Sequence, residues 1–168
     1  MKKYLKYAGA CAALLALIGF ILLLACPAVM NGNDVVVSGT TAIFGHKGTT
    51  PILGLPTETK LAWSALLAFI FVIVALVILI AGVVLPLLKV KALDKFAGLL
   101  NLCAVLLFLV AGVFTLITIV TIFTANGFDE VPGDCVLGAG WIIAGILFFL
   151  AGFVAIAPAA SDFLAKKK

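Results

Sequence analysis

The side chains able to do chemistry in this sequence are few, and they are scattered. Cys11, Cys26, Cys103 and Cys135 offer thiols for a disulfide or a metal, and His46 offers a single imidazole. No cysteine spacing resembles a zinc site, and His46, beside Lys47, has no cysteine or acidic neighbour. Cys26 and Cys135 fall at the same end of two apolar stretches, where an oxidising compartment would permit a bridge. Cys11 and Cys103 fall in the opposite half. Two readings stand for the Cys26–Cys135 pair: a disulfide tying the first apolar stretch to a late loop, or two small packing thiols.

Thr115, Thr118, Thr121 and Thr124 recur every third residue and would put hydroxyls in a strip along one helix. Such a strip could line a pocket or narrow pore. Alternatively, each hydroxyl bonds back to its own helix and does no chemistry. Asn101 is the one strongly polar side chain inside an apolar stretch, and an interhelical hydrogen bond is its expected role. All eleven basic residues are lysine, so bidentate arginine clamps on phosphate or carboxylate are excluded. No phosphate-binding glycine loop, nucleophile elbow or nucleic-acid module is present, nor any N-x-Ser/Thr acceptor. The expectation is a protein that is not an enzyme, with no catalytic residue, no metal, no cofactor and no nucleic-acid partner.

The elements that hold these residues are membrane segments. Of 168 residues 65% are hydrophobic and 11% charged, and the mean hydropathy of +1.38 puts the chain outside the soluble class. Four apolar stretches are legible, at about 7–30, 61–88, 96–125 and 136–157, and each is long enough to cross a hydrocarbon core of about 30 Å as a helix. None carries an Asp, Glu, Lys or His in its central part, which argues against proton relays and ion paths within the membrane. The third, at 30 residues, is expected to tilt or project. Leu23-Leu24-Ala25-Cys26 loosely resembles a lipoprotein cleavage box. The apolar run is longer than a signal core of ~7–15 residues, so an uncleaved first span is the favoured reading.

The stretch Val136–Ala157 places Gly138, Gly145 and Gly152 seven residues apart. The same period recurs in the other spans as Ala12, Gly19 and Cys26; Ala68, Ala75 and Gly82; and Ala97, Ala104, Ala111 and Thr118. Small residues at a strict period of seven let helices approach along one seam and favour left-handed packing. The predicted fold is therefore an all-α transmembrane, left-handed four-helix bundle in a single domain.

Between the spans, residues 31–60 form the longer outer loop and 126–135 a shorter acidic one. Asn31-Gly32-Asn33-Asp34 is a dense turn signal. The runs Val35–Val37 and Ala42–Phe44 predict an extracellular β-hairpin or small sheet, with Phe128–Val131 as a further strand candidate. Trp63 is read as an interfacial residue. The N-terminus, the 89–95 connector and the C-terminal tail carry nine lysines against Asp94 and Asp162, a net of +7. The two outer loops carry Lys47 and Lys60 against five acids, a net of −3. By the positive-inside rule both termini are cytoplasmic, in a multi-pass protein of the plasma membrane.

This layout resembles the claudin-type tetraspans, with four spans, cytoplasmic ends, a longer strand-forming first outer loop and a shorter second one. The resemblance covers the whole chain at the level of architecture. That family's first-loop tryptophan, its Gly-Leu-Trp and its paired cysteines are missing; Ala42-Ile43-Phe44-Gly45 is the nearest string. No functional residue carries over. Small four-span proteins of Gram-positive bacteria look equally similar. The function expected is structural or interactive, with Val35, Val37, Ile43 and Phe44 as the outer contact surface for a membrane-protein partner or a homo-oligomer. A small channel or carrier subunit and an accessory subunit of a larger complex are the alternatives.

Overall fold

The computed structural model describes residues 2–47, 58–84 and 91–165. Residues 48–57 of the longer loop, 89–90 of the expected 89–95 connector and the terminal lysines lie outside the described residues, and 91–95 of that connector is helical rather than loop. Four long helices dominate: α1 (Lys2–Ala25), α3 (Trp63–Val84), α4 (Lys91–Leu116) and α6 (Ala139–Ala165). Each contains a segment long and apolar enough to cross a membrane, at Tyr7–Ala25, Trp63–Gly82, Gly98–Leu116 and Ala139–Ala157. With only a third or so of each segment buried by protein, the remaining apolar faces need a hydrocarbon solvent.

α6 packs along both α1 and α4, and α4 along α3, whereas the α1–α3 seam is the thinnest of the four. Phe108, Phe148 and Leu79 are fully buried in the core, as are alanines from all four helices. The residues expected to pack the helices lie on these helices, except Gly138, which precedes α6 and abuts Pro27 instead. Ala12, Gly19, Ala68, Ala75, Gly82, Ala104, Ala111, Gly138, Gly145 and Gly152 are all buried. Gly19 faces Phe148, where an added Cβ would sit 2.7 Å from the ring. Gly145 and Gly152 face α4, against Leu116 and Leu109. Gly82 leaves the room that the Asn101 amide occupies between α3 and α4.

The third apolar stretch is two helices. α4 stops at Leu116, Ile117 takes φ −85° and ψ 0°, and α5 (Thr118–Ala125) continues beyond it. The threonine hydroxyls span this break. Thr115 Oγ1 donates to Ala111 O at 2.8 Å, and Thr118 Oγ1 donates back across Ile117 to Phe114 O at 2.9 Å. Hydroxyl bonds of this kind compete with the backbone ladder and bend helices. The expected 30-residue span is thereby interrupted at Ile117.

The remaining elements form one small cap. β1 (Pro27–Asn31) follows α1 after Cys26 alone, and turns back into β2 (Asp34–Ser38). The two-residue loop Gly32-Asn33 needs a positive φ, which Gly32 supplies at +57°. α2 (Gly39–Phe44) follows, then a two-residue pairing of β3 (His46–Lys47) with β4 (Glu58–Thr59). β5 (Cys135–Leu137) leads straight into α6 and pairs antiparallel with β1, giving the order β2-β1-β5.

Several sequence expectations are corrected here. Pro27–Asn31, read largely as the end of the first span, is the central strand. Ala42–Phe44 is helical, because the Ser38 hydroxyl accepts from Thr41 N at 3.2 Å and caps α2. Phe128–Val131 forms no strand, and the third strand is Cys135–Leu137, read partly as the fourth span. The sheet thus joins the segments on either side of the second and third long helices.

Candidate functional site

The sheet has two chemically distinct faces, created by an irregularity in register. Val29 opposes Val37 on β2, while the next residue, Met30, opposes Val35. One extra residue, Val36, is accommodated between them, as in a β-bulge. The bulge lets the consecutive residues Val36 and Val37 both turn inward, at 2% and 1% exposure. Val29 lies beneath them, fully buried. On the other face, Met30 lies between Val35 of β2 and Val136 of β5. Val35 and Val136 are 50% and 55% exposed, so an apolar row crosses all three strands.

The expected contact surface is therefore only partly available. Val35 and Phe44 are exposed, but Val37 and Ile43 are core residues and are unavailable as contacts. The bulge inverts the simple alternation that would have put Val35 and Val37 on one face. Met30 and Val136 take their place. No sequence signal found them, because both sit in runs that read as membrane span.

Two supports hold the sheet on the bundle. The first is close backbone approach. A Cβ on Gly138 would overlap Pro27 O, and a Cβ on Gly39 would overlap the carbonyl oxygens of Leu23 and Cys26. The Gly138 amide donates to Ala28 O at 2.9 Å. The second is Trp141, wholly buried, whose Nε1–H donates to Cys26 O at 3.3 Å and so serves a carbonyl just past the C-terminus of α1.

Asn126, at the end of α5, makes a separate tie between the two loops. Its Oδ1 accepts from Lys60 N at 2.8 Å, while its Nδ2 donates to Ile122 O at 2.7 Å and Lys60 O at 3.3 Å. One amide thus clasps the two outer segments together. Asn126→Asp keeps the shape, removes both donors and sets a carboxylate against two carbonyls. A loss of about 2 kcal/mol is expected, from two lost hydrogen bonds plus repulsion. Thermal unfolding in nanodiscs would register it, with Asn126→Gln as the size control.

The threonine strip is tied up internally. Thr121 Oγ1 donates to Thr118 O at 3.0 Å and Thr124 Oγ1 to Val120 O at 2.8 Å. Ser64 of α3, which sequence reading did not single out, approaches Thr121 Oγ1 at 2.6 Å and Thr118 Oγ1 at 3.1 Å. Thr118 and Thr121 have given their protons to carbonyls, so Ser64 donates to the nearer Thr121 oxygen. This buried trio joins α3 to the α4–α5 break.

All four cysteines are free. Cys135 opposes Asn31, five residues beyond Cys26. At about 3.3 Å per residue the two lie ~16 Å apart along β1, far outside the ~7 Å Cα limit for a disulfide. Strand β1, rather than a helix end, separates the two thiols. Burial, and secondarily the Asp134 carboxylate, push the Cys135 thiol up. Since the thiolate is the reactive form, iodoacetamide should alkylate Cys135 with a pH midpoint above that of a free cysteine. Asp134→Asn should move the midpoint back down, as mass spectrometry of the Cys135 peptide would report.

Among the described residues no group of three or more His, Cys, Asp or Glu could hold a metal ion. No family model matches the chain, and neither does any curated protein or solved structure. What the fold defines is a class: a mostly helical chain with four helices able to cross a membrane and a three-stranded cap.

Proposed function

We propose that this chain is an integral protein of the plasma membrane, with both termini cytoplasmic, that acts structurally by presenting its extracellular sheet to a membrane-protein partner or to a second copy. The observation that carries this reading is the Val35–Met30–Val136 row, exposed at both ends and half-buried at Met30, an apolar stripe spanning strands from both outer loops. Apolar side chains with no internal partner on a rigid surface favour a protein contact. The outer edges of β2 and β5 also leave strand hydrogen-bonding groups available for pairing.

The period-seven small residues support left-handed packing of the spans. The lysine distribution supports the orientation, and the claudin-like layout supports a contact role without lending any residue. The channel or carrier reading gains nothing from the threonines, whose hydroxyls are spent on backbone carbonyls and Ser64.

Replacing Val35 and Val136 with aspartate tests the proposal, since both are exposed and leave the core intact. Association, read by crosslinking in native membranes and by mass measurement in nanodiscs, should weaken roughly tenfold or more, about 1.4 kcal/mol. Lone monomers in the wild type, with no partner recovered, would overturn the reading.

A further inference from the structure

α2 is amphipathic in a way the sheet does not explain. Gly39, Ala42 and Ile43 are buried beneath it, while Thr40 and Phe44, one turn apart, are exposed. Its exposed face thus passes from polar at the sheet end to aromatic at the far end. Phe44, 57% exposed, lays its ring edge-on to Phe69 of α3, with centroids 5.4 Å apart. Phe69 in turn stacks on Phe20 of α1 at 5.3 Å. The three rings form a ladder in the α1–α3 seam, where the bundle is thinnest.

The ladder also fixes depth. Phe69 is six residues into α3 from Trp63, about 9 Å along the axis, and Phe20 is five residues before the end of α1, about 8 Å. The polar layer on each side of a bilayer is only roughly 5–7 Å thick. With Trp63, 49% exposed, at headgroup level, Phe69 lies past that layer and its ring leans back towards it. A ring in contact with Phe69 therefore reaches the hydrocarbon boundary.

We propose that α2 is a lipid-contacting element: it enters the bilayer leaflet on the sheet side with its C-terminal end down, and Phe44 sits among acyl chains. The occupant of this face is lipid because the face continues the exposed bands of α1 and α3, which only hydrocarbon can solvate. α2 then sets the height and roll of the sheet, so that the apolar row is offered at a fixed orientation. The inference rests on the membrane reading of the four helices, not on the choice of partner.

Two tryptophans make the test direct. Trp141 is wholly buried and serves as a reference, so Trp63→Phe removes the only exposed indole. In that background Phe44→Trp and Thr40→Trp are made singly in the full chain and reconstituted in phosphatidylcholine vesicles. Quenching is compared between brominated acyl chains and aqueous iodide. Phe44→Trp should be quenched mainly by the bromolipid, and Thr40→Trp mainly by iodide. Iodide quenching of Phe44→Trp, with bromolipid ineffective, would overturn the proposal. Protection from both quenchers would also overturn it, because a second protein surface would then cover the face. The unsubstituted protein separates the two failures: if Trp63 itself ignores bromolipid, the membrane reading fails as well. An unchanged Trp141 signal verifies that each variant folds, and Phe44→Leu, which stays apolar, should preserve folding and Trp63 quenching.

Discussion

Gly138→Ala and Gly39→Ala are each expected to destabilise the protein by about 3 kcal/mol or more, the upper end of overpacking costs. The usual relief for an added methyl is rotation of a neighbouring side chain. Here the neighbours are main-chain carbonyls, Pro27 O for Gly138 and Leu23 O with Cys26 O for Gly39. Those oxygens belong to the last turn of α1, to Cys26 that links it to β1, and to the first residue of β1, so none can move without disturbing an adjoining element. The Cys26 carbonyl also accepts the Trp141 indole hydrogen. Displacement would leave a buried donor without a partner, at a further ~1–3 kcal/mol. Both variants should show early thermal unfolding in nanodiscs and faster amide exchange across β1. Stability unchanged within ~0.5 kcal/mol in either variant would contradict the close approach.

Gly145→Leu is expected to destabilise the isolated monomer by roughly 2–3 kcal/mol, through α6 rather than through any contact between copies. An added Cβ at 145 would sit 2.9 Å from Leu116 Cδ2 and 3.5 Å from Gly112 O. Leu116 can yield a little, but the rest of an isobutyl group must enter the α4–α6 seam. Gly112 O, the backbone across that seam, would then have to retreat. The distinguishing measurement separates folding from assembly. Dilution into excess nanodiscs isolates single copies, and resistance to denaturing detergent is then read for wild type and variant. A variant monomer as resistant as wild type would place the glycine flank outside the bundle.

The spans were legible because a long uncharged run leaves few alternatives to a helix. That same uniformity hid the strands at their ends. Pro27–Met30 and Val136–Leu137 are apolar on both sides of the chain, so no alternation marks where helix gives way to sheet. Val35–Val37 read correctly as strand from its β-branching, but the bulge at Val36 could not be foreseen and it redistributed the faces. Ala42–Phe44 misled because three residues are too few to show a period. The deciding contact was local, the Ser38 hydroxyl on Thr41 N, and the string Ser38-Gly39-Thr40-Thr41 did contain it. The break at Ile117 had its signal in the threonine series, which back-bonds across it. Asn126 and Ser64 were illegible, since their partners lie 66 and more than 50 residues away.

The direct run of α1 into β1 and of β5 into α6 has a mechanical consequence. A tug on the outer face of the cap travels down the β1 backbone into one helix and across the β1–β5 ladder into its neighbour. The ladder is then strained lengthwise, with its rungs sharing the force at once, rather than peeled open one rung at a time.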